Sequence, residues 1–79
     1  TVDQSVVYPR EVIKRALELN ATGLIFVHNH PSGDLKPSQS DISLTKKLAD
    51  ACCAVNITPL DHLIITPTGY VSLKEKSLF

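Results

Sequence analysis

The sequence predicts an α/β fold, with a small mixed β-sheet flanked by helices. Three observations point there. Apolar residues recur at helical spacing in two stretches, Val12 to Leu19 and Ile42 to Val55. Apolar and β-branched runs of strand length follow each of them, at Thr22 to Val27 and Asp61 to Thr66. A turn sequence, Pro67-Thr68-Gly69, then leads into a last short run, Tyr70 to Leu73.

Taken in order, Val2 to Val7 reads as a strand, or the end of one that began earlier. Tyr8-Pro9 breaks it, and proline suits the first turn of a helix because its fixed φ and missing N–H cost nothing there. Val12, Ile13, Ala16, Leu17 and Leu19 or Asn20 form the inner stripe of that helix, with Lys14, Arg15 and Glu18 outward. Asn20 to Gly23 ends it. Thr22 to Val27 is almost continuously apolar, as expected of a strand covered on both faces. A second helix starts near Ser38, with Ile42, Thr45, Leu48 or Ala49, Cys52 and Val55 inward and Lys46, Lys47 and Asp50 in solvent. Asn56 ends it, and Ile57-Thr58 leads into the strand around Asp61 to Thr66. The run after Pro67-Thr68-Gly69 pairs with that strand as a hairpin.

Length and composition narrow the function classes. The chain of 79 residues is enough for one small domain, whose limited burial makes added stabilisation valuable. Eight acidic and eight basic residues balance, so no overall field draws in a polyanion. The basic residues are scattered, with only Lys46-Lys47 adjacent, so direct nucleic-acid binding has no support. No stretch is long or apolar enough to span a membrane, and Thr1-Val2-Asp3-Gln4 lacks the features of a signal peptide. The expected location is cytoplasmic. Cys52 and Cys53 are adjacent on a helix, a poor geometry for a disulfide and the wrong spacing for a zinc knuckle. Cys52 reads as a buried thiol, and two unpaired cysteines fit a reducing compartment.

The chemistry concentrates between His28 and Asp41. Residues two apart on a strand share a face, so His28 and His30 point the same way. The chain then turns through Pro31-Ser32-Gly33 and opens the second helix, which carries Asp41. Two imidazole nitrogens and a carboxylate oxygen suit zinc and leave a fourth position open for water. A blander account exists for the same residues. Ser38-Gln39-Ser40-Asp41 fits a capping box, and an aspartate in a first turn suits the helix dipole with or without a metal.

The spacing His28-Asn29-His30, seven residues from Pro31 to Pro37, then Ser38 and Asp41, resembles the JAMM (MPN+) zinc metalloprotease motif. Deubiquitinase-type members usually have Ser or Thr between the histidines. Asn29 in that place, in His-Asn-His-Pro-Ser-Gly, looks like the bacterial RadC-like branch of the JAB fold. Tyr8-Pro9-Arg10-Glu11-Val12, the helix after it and Leu60-Asp61-His62-Leu63-Ile64-Ile65 also look like RadC-type sequence, so the resemblance covers nearly the whole chain.

The resemblance implies a JAB/MPN (cytidine-deaminase-like) fold and a zinc-dependent hydrolase of peptide or isopeptide-like amide bonds. His28, His30 and Asp41 would hold zinc, and Ser38 would help stabilise the developing oxyanion, unless its role is only that of helix N-cap. It also implies a general-base glutamate on an upstream strand. Glu11, Glu18 and Glu75 do not occupy such a strand. Residues 1–79 therefore read as one RadC-like JAB/MPN domain, a C-terminal portion lacking its N-terminal strand or strands and with them the general base.

Other residues have two readings each. His62 is either a core or edge histidine with a satisfied hydrogen bond, the favoured reading, or a support or substrate contact for the site. Asp34 and Lys36 lie in the loop over the site, solvated or on the rim of a cleft. Asn29 points away from the ligands, where a structural hydrogen bond is expected. Competing functions are a non-catalytic JAB scaffold linked to DNA repair, a metal-dependent nuclease, and, least favoured, a phosphate site at Gly33 and the second helix, which lacks the glycines and lysine of a P-loop. The expected partner is a peptide or protein substrate. An exposed sheet edge would also allow a homodimer.

Overall fold

A computed structural model describes residues 7–30 and 32–78. Helix α1 spans Pro9–Glu18, strand β1 Gly23–Asn29, helix α2 Gln39–Ala54, strand β2 Thr58–Thr66 and strand β3 Gly69–Ser72. The strand expected from Val2 falls outside the described residues except for Val7, which has no regular structure.

The two helices begin differently and end alike. Pro9 stands in the first turn of α1 after an extended Tyr8 that provides no side-chain cap. Ser38 caps α2 with a full capping box. Each helix stops at an asparagine in the left-handed region, Asn20 at φ 55° and Asn56 at φ 60°. In each, the amide one residue further on reaches back to an orphan carbonyl: Ala21 N–H to Ala16 (2.9 Å) and Ile57 N–H to Cys52 (2.8 Å). These are Schellman endings, in which the bond is accompanied by an apolar contact across the helix end. Here both contacts fall in one cluster: Ala16, Cys52 and Ile57 are buried together, with Ile13, Ala21, Leu24 and Phe26 packed against them.

Both helix ends thus deliver the chain into adjacent strands. β1 runs parallel to β2, with Phe26 opposite His62 and His28 opposite Ile64, and with an irregularity between Leu24 and Ile25. β3 returns antiparallel to β2 through Pro67-Thr68. The Thr66 hydroxyl accepts from the amides of Thr68 (3.3 Å) and Gly69 (3.1 Å), which holds that turn. The result is the expected small mixed sheet, in the order β1-β2-β3.

Coverage of β1 differs from expectation. Ile25 and Val27 are 57% and 59% exposed, while Leu24, Phe26 and His28 are partly sheltered. Both helices pack on one face of the sheet, so a continuous apolar run gives a strand with only one covered face. Leu17 and Leu19, expected inward on α1, are also exposed. Only Ala16 of that helix is buried, because α1 rests on the cluster along a narrow line. On α2, Asp41, Thr45, Leu48 and Cys52 are buried as one stripe, whereas Val55 is exposed. Cys52 is fully buried and Cys53 exposed, with no disulfide. Burial, then the neighbouring Cys53, pushes the Cys52 thiol up. Among the described residues, no helix is long and apolar enough to cross a membrane.

Candidate metal centre

His28 lies near the end of β1, and His30 follows just beyond it. The amide of His30 still donates to Ile65 of β2 (2.9 Å), so the strand's alternation persists through residue 30. Both imidazoles therefore project from the covered face, their centroids 4.7 Å apart and their planes nearly perpendicular. A tight turn follows, closed by Gly33 N–H to the His30 carbonyl (3.0 Å). Gly33 sits at φ 87°, a conformation that a side chain would strain.

The turn leads to the start of α2, where Asp41 is set by its own helix cap. Its amide donates to Ser38 Oγ (3.0 Å), and its Oδ2 accepts from the Ser38 amide (2.8 Å). The cap thereby aims the carboxylate back over the sheet. Oδ1 lies 3.2 Å from His28 Nδ1 and Oδ2 3.1 Å from His30 Nε2. Burial opposes ionisation of Asp41. Hydrogen bonds from the Ser38 amide and side chain, together with the charges of His28 and His30, outweigh it and hold the carboxyl below its usual range.

The hydrogen bonding of His30 decides what this cluster can hold. Its Nδ1 is 2.8 Å from the Asp34 carbonyl, which can only accept, so Nδ1 carries a proton. In the neutral ring the Nε2 lone pair then faces a carboxylate oxygen at 3.1 Å. Two acceptors at that distance require a proton or a metal cation between them. Nδ1–H donated to a backbone carbonyl is also the usual support for a histidine that ligates through its other nitrogen. One ligand atom from each of His28, His30 and Asp41 lies within 4.8 Å of the others. Either carboxylate oxygen makes one close pair with an imidazole nitrogen, Oδ1 with His28 at 3.2 Å or Oδ2 with His30 at 3.1 Å, near the roughly 3.3 Å edge of a tetrahedron with zinc bond lengths of about 2.0–2.1 Å. The donor set fits a divalent cation.

Other expected residues fall into place around this group. Ser38 is the N-cap of α2. Asp34 is exposed, and its side chain accepts from the Lys36 amide (2.9 Å), so it shapes the loop. Asn29 points to the opposite face and is exposed. Contrary to expectation, no side-chain hydrogen bond holds it among the described residues. Glu11 and Glu18 pair loosely with Arg10 and Arg15 on the surface, and no glutamate joins the His28–His30–Asp41 group among the described residues.

His62 is 2% exposed, with Nδ1 2.6 Å from Thr45 Oγ1. Its ring lies against that of His28, with centroids 5.9 Å apart and planes 28° from parallel. Burial and then the charge of His28 push its pKa below the usual histidine range. Asp61 points the other way. It accepts from Ser72 Oγ and from the amides of His62 and Lys74, and these bonds outweigh the effect of burial and lower its pKa. Thr45 was legible only as a residue of the inner stripe. Its place four residues after Asp41 is the one sequence signal that ties it to the site.

The sequence matches the family described as RadC-like JAB domain over residues 1–78. A UPF0758 protein of Ruegeria pomeroyi is 66% identical over 76 residues, covering 96% of this chain and 34% of its own length. The chain thus spans about a third of the curated relative it matches. With a match running nearly end to end and the sheet and helices arranged as that fold requires, this chain belongs to the RadC-like JAB domain family.

Proposed function

We propose that His28, His30 and Asp41 hold a zinc ion and that the domain hydrolyses amide bonds, peptide or isopeptide-like, in a protein or peptide substrate. The observation that carries this reading is the His30 lone pair facing Asp41, with the other ring nitrogen committed to the Asp34 carbonyl. When bound, the metal supplies a Lewis acid and a water whose pKa falls toward about 7.

The chain's own residues have separable tasks. Asp34 fixes the tautomer of His30 through its carbonyl. Ser38 caps α2 through an oxygen lone pair, which leaves its hydroxyl proton for another partner: the Asp41 carboxylate, whose pKa it helps lower, or a bound substrate. In our reading that proton goes to the developing oxyanion, and capping and catalysis do not compete for the same atom. A general base must take the proton from the attacking water and, once protonated, deliver it to the leaving amine. We assign that role to a glutamate outside these residues.

The test is metal content after purification of the complete protein without added metal, wild type beside His30→Ala. About one zinc per chain in the wild type, lost in the variant, is the expected result, given the three-residue open set typical of hydrolytic zinc sites. A wild type that carries none and takes up none when zinc is added would sink the reading.

A further inference from the structure

We infer that His62 and Thr45 form a strut that positions the metal ligands, holding the ring of His28 and the backbone of Asp41 in one fixed relation. The inference rests on the metal-site reading above and adds two residues that ligate nothing themselves.

A strand sets only where the Cβ of His28 points. The plane of its ring, and so the aim of Nδ1, remains free to rotate unless something packs against it. His62 does so. Its ring lies 28° from parallel with that of His28, and Phe26 meets it edge-on at 6.1 Å. His62 is itself held by Thr45. The Thr45 hydroxyl has one proton and two near neighbours, the Asp41 carbonyl at 2.7 Å and His62 Nδ1 at 2.6 Å. The carbonyl can only accept, so the hydroxyl gives its proton there. Nδ1 of His62 must then be the donor to Thr45 Oγ1. This assigns the tautomer and makes the contact directional.

The chain of contacts runs from the His28 ring to the His62 ring, then to Thr45 Oγ1 and the Asp41 carbonyl. It ties β1, β2 and α2 together directly beneath the ligand set. A threonine bonding back four residues along a helix is common by itself. What distinguishes Thr45 is the second bond, to a buried histidine stacked against a ligand. Loss of an outer partner that orients a ligand typically costs about 10–100-fold in metal affinity.

The experiment is titration of the complete, metal-free protein with Co²⁺, read by visible absorption. It compares wild type, Thr45→Val, Thr45→Ser and His62→Phe, with melting of the metal-free forms followed by circular dichroism. Thr45→Val keeps the shape and removes the hydroxyl; Thr45→Ser keeps the hydroxyl. His62→Phe keeps a flat ring and removes the donor. We expect Thr45→Val and His62→Phe each to weaken Co²⁺ binding by about 10–100-fold and to change the absorption of the bound ion, with Thr45→Ser within about threefold of wild type. If Thr45→Val does not fold, His62→Phe decides alone.

Wild-type affinity and spectrum retained in either Thr45→Val or His62→Phe overturns the strut. So does a Thr45→Ser that falls as far as Thr45→Val. A lower melting point with unchanged Co²⁺ affinity marks a purely structural contact and also overturns it. Failure of the wild type to bind Co²⁺ removes the metal site itself. The wild-type titration therefore separates failure of the site from failure of the strut.

Discussion

Ile64 and Ile65 are the same residue at adjacent positions of β2, yet Ile64 is wholly buried and Ile65 is 39% exposed. The contrast extends across the sheet. On the face under the helices lie His28, His62 and Thr66 beside Phe26 and Ile64. On the other face Ile25, Val27, Ile65 and Tyr70 stand exposed. Polar groups share the sheltered face with apolar ones while four large apolar side chains stay exposed on the other, which hydrophobicity alone would not arrange. The sheltered polar groups tolerate burial because they have partners, and no buried side-chain nitrogen or oxygen lacks one among the described residues. The side on which the helices lie, more than the residue type, decides what is buried.

The sharpest way to break this comparison is to truncate both isoleucines. Ile64→Ala should lose about 2–5 kcal/mol of stability, the usual range for emptying a packed site. Ile65→Ala should lose about 0.5 kcal/mol, as at an exposed site. Urea denaturation of both variants measures the difference, and equal losses would mean that the outer face is as buried as the inner one.

Asp61 tests the outer face at a polar position. Removing its carboxylate in Asp61→Ala should cost about 1–3 kcal/mol, since Ser72 and the amides of His62 and Lys74 lose a charged acceptor. The sign of the pH dependence follows from its lowered pKa. The folded carboxyl stays ionised to lower pH than the unfolded one, so its contribution is complete above the unfolded value of about 3.9 and is lost as pH falls through the folded value. The urea midpoints of wild type and Asp61→Asn should therefore differ at neutral pH and converge in acid. A constant gap would show that the charge is not what matters.

A modest effect is expected where α2 begins, beside the site. Ser38→Ala should cost about 1 kcal/mol through the lost cap of α2. Far-UV circular dichroism during thermal unfolding would register it. No change would mean that the Asp41 carboxylate alone secures the first turn.

Much of the candidate site was legible because its residues are close in sequence and their spacing carries information. His28 and His30 share a strand face by simple alternation. Ser38 and Asp41 served equally well as a cap and as part of a ligand motif, and the structure shows why: one carboxylate reaches both the Ser38 amide and the imidazoles. The strut was not legible, since nothing in the spacing of residues 45 and 62 announces a hydrogen bond between α2 and β2. The exposed face of β1 was misread for a related reason. A continuous apolar run says that a strand can be covered on both sides, and the packing of the helices determines whether it is. Leu17 and Leu19 fit a helical stripe wider than the contact α1 makes.

All three proposed ligands fall between residues 28 and 41, whereas the strands beneath them pair over a much longer stretch of chain. The entropy of closing so short a loop is small. The unfolded polypeptide therefore also keeps two imidazoles and a carboxylate within reach of one another, and it would compete for a cation with the folded form. Ligand affinity for a denatured state subtracts from the stability that binding adds. Loading this site should raise the melting point by less than its native affinity alone would imply.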